Sequence, residues 1–346
     1  MKISRLAVQN VRTHSAFQAE FSPGVTLVTG MNGSGKTSLI EALYVALRGS
    51  SFKGSDSDIL KTNKPWWRID TLSTDDQKRT IKFDPNKTSG RKQFVIDDRT
   101  HYRLPERSKY PVVLFDPDDL RLLNGSPTRR RQFIDRFISQ LDPLYGVNLR
   151  KYDRALKQRN NLLKQAEASS DDLFVWNVSL SEYGAYIIER RIHFIATLNQ
   201  QLNKAYKSIA DNDDIVSIRY SSEVSANIKH KLLAELESRL PRDQILGYTS
   251  IGPHRHDVLF DFNNSPALSV ASRGEVRSIV LALKFLEVEI IERITDKLPI
   301  IMLDDVFSEL DESRQRKLLS ATTRHQVIVT TTTYPDTLSD VSHITL

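Results

Sequence analysis

The sequence predicts an α/β protein in which a helical segment interrupts a domain built on parallel strands. Continuous apolar runs of strand length lie at residues 25–28, 111–115 and 299–303. Such runs are typical of strands buried on both faces of a parallel sheet. Residues 128–240 contain a single proline and follow helical spacing, and strand-like alternation returns near Ile251.

The first third of the chain is rich in short strands. We interpret residues 50–110 as an antiparallel sheet, because short β-like runs alternate with polar turns there. Neighbouring residues of a strand face opposite sides, so one of Trp66 and Trp67 is expected in the core. The β-like runs are Ile3–Val8, Phe17–Phe21, Trp66–Thr71, Thr80–Phe83 and Gln93–Ile96.

The helical segment begins with Ser126 and Pro127, a suitable N-cap and first helical residue. Two stretches of apolar residues follow, one on each side of the polar break 169–172. In both, the apolar residues recur at alternating steps of four and three. Arg159 occupies one position of the first series where an apolar residue is expected. This spacing fits an antiparallel helical hairpin or two ordinary packed helices. The two series are Tyr145, Leu149, Tyr152, Leu156, Leu163 and Trp176, Leu180, Tyr183, Ile187, Phe194.

Composition excludes several classes of protein. The 346 residues include 49 Lys and Arg against 43 Asp and Glu, for a net charge of +6, which is compatible with an anionic partner. No cysteine is present, so disulfides, zinc–thiolate sites, cysteine-ligated clusters and cysteine nucleophiles are excluded. No apolar run approaches the about 18 residues of a membrane helix. We expect a cytoplasmic protein with no membrane partner.

The strongest motif is the run Gly30–Thr37, which fits the phosphate-binding pattern G-x-x-x-x-G-K-[ST]. It lies between an apolar strand and a helix predicted over 38–47, as the mechanism requires. Backbone N–H groups of Gly30, Met31, Asn32, Gly33, Ser34 and Gly35 would surround the phosphates of ATP. Lys36 would reach the β- and γ-phosphates, and the Thr37 hydroxyl would ligate Mg²⁺.

Two acids follow the apolar strand 299–303. Asp304 is predicted to hold Mg²⁺ through its water shell, and Asp305 to act as general base on the attacking water. Two adjacent acids after a buried strand are also compatible with a helix N-cap. Most of the chain separates Lys36 from Asp304, which is the arrangement of an ATPase head interrupted by an arm. We predict a head formed by residues 1–120 and 250–346, and a helical arm over 121–249.

A second anion-binding element opens the helix before that strand. Ser272 and Gly274 present a hydroxyl, a backbone N–H and the positive end of a helix dipole. A monomer with its own phosphate loop has no need of it, so we predict that these residues contact, in trans, the ATP held by another copy. The alternative is a plain N-cap.

Together these residues resemble the RecF family of ABC/SMC-like ATPases over nearly the whole chain, least strongly over 50–110. The resemblance implies an ABC-type head, ATP-dependent homodimerisation on double-stranded and gapped DNA, and weak DNA-stimulated ATP hydrolysis. It also implies RecR- and RecO-like partners in recombinase loading. Arg12 and Ser38 join the expected ATP contacts. The motifs that carry the resemblance are Asn10–Arg12, Gly30–Thr37, Phe115–Leu120, Gly125–Pro127 with Arg129 and Arg130, Gly252–Arg255, Ser272–Glu275 and Leu303–Asp311.

The chain also departs from the usual ABC pattern. Glu275 stands where that class usually has Gln, and Asp305 where most members have Glu. No glutamine marks a Q-loop after strand 111–115, and no histidine follows strand 326–330. A run of threonines, Thr330–Thr333, stands there instead, and we expect one of these hydroxyls to contact the γ-phosphate.

Basic residues near the start of the helical segment are candidates for DNA contacts. Arg129, Arg130 and Arg131 at a helix N-terminus oppose its dipole, so an anion should compensate them, and Lys151 extends the positive character. A solvated face or internal ion pairs are the alternative. The main rival function is an ATP-gated protein scaffold with incidental DNA affinity. A transporter subunit and a small-molecule kinase fit the helical arm and the Ser272 element less well.

Overall fold

The computed structural model describes residues 1–165, 170–222, 226–335, 338 and 341–346. The contacts divide the chain into two units, residues 1–119 with 287–346, and residues 120–286. The strands are β1 (Ile3–Val11), β2 (His14–Glu20), β3 (Val25–Thr29), β4 (Trp67–Ser73), β5 (Lys78–Phe83), β6 (Lys92–Ile96), β7 (Arg99–His101), β8 (Val112–Phe115), β9 (Val216–Ser221), β10 (Asp257–Phe262), β11 (Ser265–Pro266), β12 (Ile300–Asp304), β13 (Val327–Thr331) and β14 (Ser342–Thr345).

The helices alternate with these strands in the first unit and dominate the second. They are α1 (Lys36–Arg48), α2 (Asp56–Ile59), α3 (Pro127–Leu141), α4 (Pro143–Leu162), α5 (Ser170–Ala210), α6 (Ile228–Ser238), α7 (Leu240–Leu246), α8 (Ala267–Val270), α9 (Arg273–Thr295) and α10 (Glu312–Ala321), with short 3₁₀ helices at Glu106–Ser108, Asp119–Arg121 and Phe307–Glu309.

The first unit contains a parallel sheet with the order β14-β3-β13-β12-β8. Strands β3, β12 and β13 are mainly apolar and lie inside the sheet, which agrees with the predicted buried runs. All neighbouring pairs are parallel, so the carboxyl ends of these strands share one edge. That edge is where ligands bind in open α/β sheets.

An antiparallel sheet with the order β2-β1-β4-β5-β6-β7 completes this unit, and it confirms the antiparallel sheet predicted within 50–110. Trp67 is fully buried whereas Trp66 is 39% exposed, so one of the two tryptophans is in the core as expected. Helix α1 contacts both sheets. Its buried residues therefore cover nearly its whole length, which explains why residues 39–47 are apolar except for Glu41.

The second unit confirms that two long helices pack against each other. Arg159 of α4 contacts Asn177 of α5, the ring of Tyr152 lies beside Gly184, and Tyr145 bonds to Arg191. These contacts advance by seven residues along α4 as they retreat by seven along α5. This is the register of an antiparallel pair with heptad spacing. Part of the predicted polar break, including Ser169, lies outside the described residues.

Arg159, the polar residue in the apolar seam, is fully buried and ion-paired. Its Nη1 lies 2.7 Å from Oδ2 of Asp243, which is also fully buried. Its remaining donors reach Asn177, Thr249 and the carbonyl of Leu236. Arg159 therefore joins α4, α5 and the segment after α6 through a satisfied polar network.

The helical pattern predicted over 128–240 is wrong at β9. Val216–Ser221 forms a strand because it pairs antiparallel with β10, some way along the chain, in the sheet β11-β10-β9. By their contacts, residues 250–286 belong to the second, mainly helical unit. The domain division predicted from the sequence places them in the head. The N-cap prediction holds, since Ser126 Oγ accepts the N–H of Arg129 and Pro127 opens α3.

Candidate functional site

The glycine-rich run forms a loop between β3 and α1, as the sequence predicts. Gly33 and Gly35 adopt positive φ angles of 84° and 104°, a conformation that favours glycine. A Cβ at Gly35 would lie 2.2 Å from Nε2 of His14, and that ring contacts the Gly35 carbonyl at 3.2 Å. A Cβ at Gly33 would meet nothing within 4 Å, so the loop leaves open space there.

Lys36 is the first residue of α1 and is buried. Its ammonium donates hydrogen bonds to the carbonyls of Gly30 at 2.8 Å and Met31 at 3.2 Å. The same nitrogen lies 3.9 Å from Oδ1 of Asp305. The loop and the second acid are therefore held around one cation.

The hydroxyl of Ser34 tests whether this loop fits a phosphate. Its Oγ is buried and has no hydrogen-bond partner among the described residues. An unpartnered buried hydroxyl is costly, and a phosphate oxygen within the loop would satisfy it. Met31 and Asn32 are exposed, whereas Ser38 is buried within α1. The residues present fit a phosphate chain.

Asp304 ends β12 at the same edge of the sheet and is almost fully buried. Its Oδ1 accepts hydrogen bonds from the hydroxyls of Thr37 at 2.9 Å and Thr330 at 3.0 Å. Its Oδ2 lies 3.7 Å from the ammonium of Lys53. A hydroxyl beside a carboxylate is a donor set that hard divalent cations prefer, so Thr37 and Asp304 fit the predicted metal site.

Asp305 is half-buried and has a positive φ of 53°. Its N–H donates to both the carbonyl and the hydroxyl of Thr330, each at 3.1 Å, and these bonds hold the strained backbone in place. Burial raises the pKa of Asp305, and the charge of Asp304 adds to this, while Lys36 opposes it. A carboxylate with a raised pKa near a phosphate loop suits proton transfer from water.

Two further residues complete this cluster: Lys53, which the sequence did not identify, and Thr330, whose bond to Asp304 was not predicted although its threonine run was. Thr330 lies opposite Asp304 in the register of two parallel strands. The sequence could in principle predict that Thr330 lies near Asp304, because residues at the carboxyl ends of neighbouring parallel strands meet at one edge of the sheet. Lys53 follows α1 in a loop without a recognisable pattern, and no local signal pointed to it.

Arg12 lies in the same unit but is engaged by a protein carboxylate. Its Nε and Nη2 donate to the two oxygens of Glu41 at 2.8 and 2.9 Å, and Ser51 also donates to this carboxylate. Glu41 is almost completely buried in α1, so Arg12 neutralises an internal charge. The hydrogen bond to Glu41 raises the pKa of Arg12.

The Ser272 element forms a capping box in the second unit. The N–H of Ser272 donates to Oε2 of Glu275 at 2.6 Å, and the N–H of Glu275 donates to Oγ of Ser272 at 3.3 Å. Glu275, the residue that departs from the usual ABC pattern, therefore stabilises the start of α9. Ser272 is exposed and Gly274 is partly exposed, so the start of α9 is accessible to solvent in the described chain.

The arginine cluster requires a correction. Arg130 is buried, donates to both oxygens of Asp257 and to the carbonyls of Leu123 and Gly125, and therefore serves an internal ion pair. Arg131 donates to the carbonyl of His256 at 2.6 Å. Arg130 therefore follows the alternative of an internal ion pair, whereas Arg131 is engaged by a neutral carbonyl. Arg129 is partly exposed, and Lys151 is exposed with its ammonium 5.3 Å from the centroid of Tyr183.

No group of three or more His, Asp or Glu side chains suited to a metal ion occurs among the described residues. None of the helices in the described part of the chain combines the length and the apolar character that a bilayer crossing demands. His254 and His256 instead bond to the hydroxyls of Tyr152 and Tyr220.

Comparisons with known folds agree with this geometry. A family model described as an AAA domain matches residues 5–247. A solved structure of the Smc head bound to the C-winged helix domain of ScpA superposes with a TM-score of 0.52 at 15% identity, covering 97% of this chain and 90% of that one. The fold and the phosphate loop with its acidic partner strand define an ABC-type ATPase head.

Relatives in sequence define a narrower family than the fold does. "DNA replication and repair protein RecF" of Streptococcus suis (strain 05ZYH33) is 36% identical over 343 residues, which is 96% of this chain and 93% of the relative. The protein of that name from Natranaerobius thermophilus is 33% identical over 361 residues, covering 99% and 94%. A solved structure described as the recombination mediator protein RecF-ATPrS in the RecFOR pathway has a TM-score of 0.88 at 28% identity, covering 99% and 95%. The chain belongs to the RecF family, which confirms the resemblance predicted from its motifs.

Proposed function

We propose that this protein is an ATPase of recombinational DNA repair and replication restart, which binds ATP with Mg²⁺ through the loop Gly30–Thr37. The observation that carries the proposal is the meeting of Lys36, Thr37, Asp304 and Asp305 at one sheet edge. Structures of RecF relatives described with ATP and ATPrS support it. Mg²⁺, when bound, would neutralise phosphate charge.

Each protein group in the site has a distinct task. Lys36 exchanges its hydrogen bonds to the loop carbonyls for bonds to the β- and γ-phosphates. The Ser34 hydroxyl, which has no partner among the described residues, also bonds to a phosphate oxygen. Thr37 and Asp304 hold the metal-binding position, while Thr330 fixes the carboxylate of Asp304. Asp305 takes a proton from the attacking water. Because its side chain is one methylene shorter than the Glu found in most of the class, hydrolysis is slow.

ATP also acts as the link between two copies. Ser272 and Gly274 form a second anion-binding element that the phosphate loop of the same chain makes redundant. It contacts the γ-phosphate held by the other copy, so that ATP binding closes a head-to-head dimer. In this arrangement the capping box of Ser272 and Glu275 keeps the helix start preformed for its ligand.

The dimer clamps double-stranded DNA near single-strand gaps in the cytoplasm, and hydrolysis releases it. Names of relatives, which refer to DNA replication and repair and to the RecFOR pathway, support this step. Arg129 and Lys151 remain the proposed DNA contacts, whereas Arg130 and Arg131 serve internal bonds. RecO- and RecR-like partners would cooperate in loading recombinase, and DNA would stimulate the weak ATPase.

The test is duplex binding measured with and without ATP over a range of salt concentrations. We expect ATP to raise the affinity for a gapped duplex, and added salt to lower it steeply. Ser272→Arg should abolish both the ATP effect and ATP-driven dimerisation on a sizing column. Ser238→Arg, a change at another exposed serine of the same unit, is the matched control. A normal dimer of Ser272→Arg would contradict the sandwich.

A protein scaffold gated by ATP is the second candidate. It is favoured by an exposed apolar group at the end of α7, formed by Ile245, Leu246 and Tyr248, and by the internal use of Arg130 and Arg131. Exposed apolar groups mark protein contacts more often than nucleic-acid contacts. The scaffold predicts duplex affinity that does not respond to ATP.

A further inference from the structure

A second cleft lies at the opposite edge of the parallel sheet from the phosphate loop. It has a volume of about 940 Å³. Ile300, the first residue of β12, and Gln326, just before β13, contribute to its lining. Asp304 stands at the other end of β12, about 13 Å away at the rise of a strand. The cleft is therefore separate from the candidate nucleotide site, although both belong to the same unit.

The cleft is strongly basic. Its lining among the described residues includes six Lys and Arg side chains against three Asp. Three of these cations, Arg99, Arg107 and Lys297, are exposed and have no ion-pair partner in the described part of the chain. The cations of the lining outnumber its carboxylates two to one, and this excess of positive charge favours an anionic ligand.

Arg79 gives the cleft a buried cation. Its guanidinium donates to the carbonyl of Ala46 at 3.2 Å and to Oε1 of Gln77 at 2.7 and 3.0 Å. No carboxylate among the described residues comes within ion-pair distance of it. Burial lowers the pKa of Arg79, although Asp97 and Asp75 attract the charge from a distance. A buried cation that only neutral groups contact is costly, and a bound anion would offset that cost.

The shape of the cleft narrows the class of anion. Its volume is within the range of small-molecule sites, and Ile96, Tyr110 and Leu298 supply apolar wall between the cations. A duplex would need a longer basic track, whereas this half-open cleft has the size of a compact group. Guanidinium groups match phosphate oxygens in a bidentate geometry. The combination fits a phosphorylated group of about nucleotide size.

We propose that this cleft is a second phosphate-binding site, which takes the terminal phosphates of a free nucleotide or the phosphorylated end of a DNA strand. The exposed cations attract the ligand, and the buried guanidinium of Arg79 makes the electrostatic potential inside the cleft more positive. The proposal stands independently of the function assigned to the phosphate loop, because no residue is shared between the two sites.

The test is calorimetric titration of the full chain with inorganic pyrophosphate. Lys36→Ala first weakens the phosphate loop, and this variant should still bind one pyrophosphate. Adding Arg99→Gln and Lys297→Gln should then lower the remaining affinity at least tenfold. Both residues are exposed, so these changes spare the core. Arg79→Gln should lower the affinity as well, and its melting temperature is measured in parallel because Arg79 is buried.

Lys82→Gln in the same Lys36→Ala background is the matched control. Lys82 is an exposed cation of β5, the strand that carries Arg79, and it does not line the cleft. We expect its loss to leave pyrophosphate binding unchanged. Absence of binding in the Lys36→Ala variant would overturn the proposal, and so would an equal loss in the Lys82 variant.

Competition experiments distinguish the two sources of phosphate. Displacement of pyrophosphate by ADP supports a free nucleotide. Displacement by a short 5′-phosphorylated single strand, and not by the same strand with a 5′-hydroxyl, supports a DNA end. Displacement by neither, or by both strands equally, contradicts a site for terminal phosphates.

Discussion

The hydroxyl of Thr330 lies 3.0 Å from Oδ1 of Asp304 and donates a hydrogen bond to it. The same hydroxyl accepts the N–H of Asp305 at 3.1 Å. One buried threonine thus fixes the side chain of the first acid and the strained backbone of the second. The sequence predicts contact between the γ-phosphate and one hydroxyl of the run Thr330–Thr333. The hydrogen bonds of Thr330 point to a role in positioning the two acids.

Thr330→Val should therefore impair hydrolysis. Loss of a hydrogen bond to a charged group costs about 1.5–3 kcal/mol, which corresponds to a roughly 10- to 100-fold lower kcat if the bond acts in the transition state. Thr330→Ser should retain most of the activity. Thr26→Val removes another buried hydroxyl of the same sheet and should leave kcat unchanged. A normal kcat for Thr330→Val would contradict the positioning role.

Asp305 should set the acid limb of the pH–rate profile. Because its pKa is raised by burial, the carboxylate becomes protonated at a higher pH than an exposed aspartate does, and activity is lost as pH falls through that pKa. Asp305→Asn should bind ATP but turn over at least 100-fold more slowly, as expected for a lost general base. Single-turnover kinetics from pH 4 to 8 measure both effects. An Asp305→Asn enzyme with the wild-type profile would exclude Asp305 as the base.

The Arg12–Glu41 pair should contribute to stability. Arg12→Ala would leave Glu41 buried without its cation, at a cost of about 2 kcal/mol in the free energy of unfolding. Arg12→Ala combined with Glu41→Gln should recover part of this loss, because the buried charge is removed as well. Urea unfolding measures the three variants. Arg5→Ala, which breaks the exposed pair with Glu20, should cost less than about 1 kcal/mol.

The same variants decide what Arg12 does for ATP. If Arg12→Ala changes stability but leaves ATP affinity unaltered, the arginine acts through Glu41 alone. A large loss of ATP affinity at unchanged stability would instead support the direct contact expected from the family resemblance.

Local sequence patterns predicted the parts of the site that depend on neighbouring residues. The loop Gly30–Thr37 carries its own turn chemistry, and the apolar strand before Asp304 identifies the acidic partner. By contrast, the burial of Arg130 depends on Asp257, far along the chain. The pairing of Glu41 with Arg12 is likewise a tertiary contact. Charge patterns alone could not distinguish these internal ion pairs from a basic surface.

The missed strand β9 has a similar cause. Val216–Ser221 is short and follows a helix of 41 residues, so local periodicity favoured more helix. Its strand conformation is fixed by pairing with β10, a partner that periodicity cannot identify. The antiparallel sheet before residue 110 was easier to predict because its successive strands β4–β7 pair with their sequence neighbours.

Two partly buried histidines should make the protein acid-sensitive. Burial lowers the pKa of His254 and of His256 to about 4, below the ordinary value of 6.5. Between pH 6.5 and 4 the unfolded chain binds protons that the folded chain does not, so stability is lost as pH falls through this window. The expected slope is about 1.4 kcal/mol per pH unit for each histidine.

His254→Gln should reduce this slope by about one proton, even if it lowers stability at pH 7.5. Urea unfolding at pH 7.5, 5.5 and 4.5 measures it. His230→Gln, at an exposed histidine, is the matched control variant. An unaltered slope in His254→Gln would argue against burial as the cause of acid sensitivity.

Sedimentation velocity with ATP and Mg²⁺, with and without a gapped duplex, tests the central claim most directly. The account predicts a monomer that becomes a dimer with ATP, and that sediments with the duplex only in that state. Lys36→Arg should remain monomeric under all conditions, because its phosphate loop no longer retains ATP. A wild-type protein that stays monomeric with ATP and duplex would contradict the clamp and leave the ATP-gated scaffold as the better account.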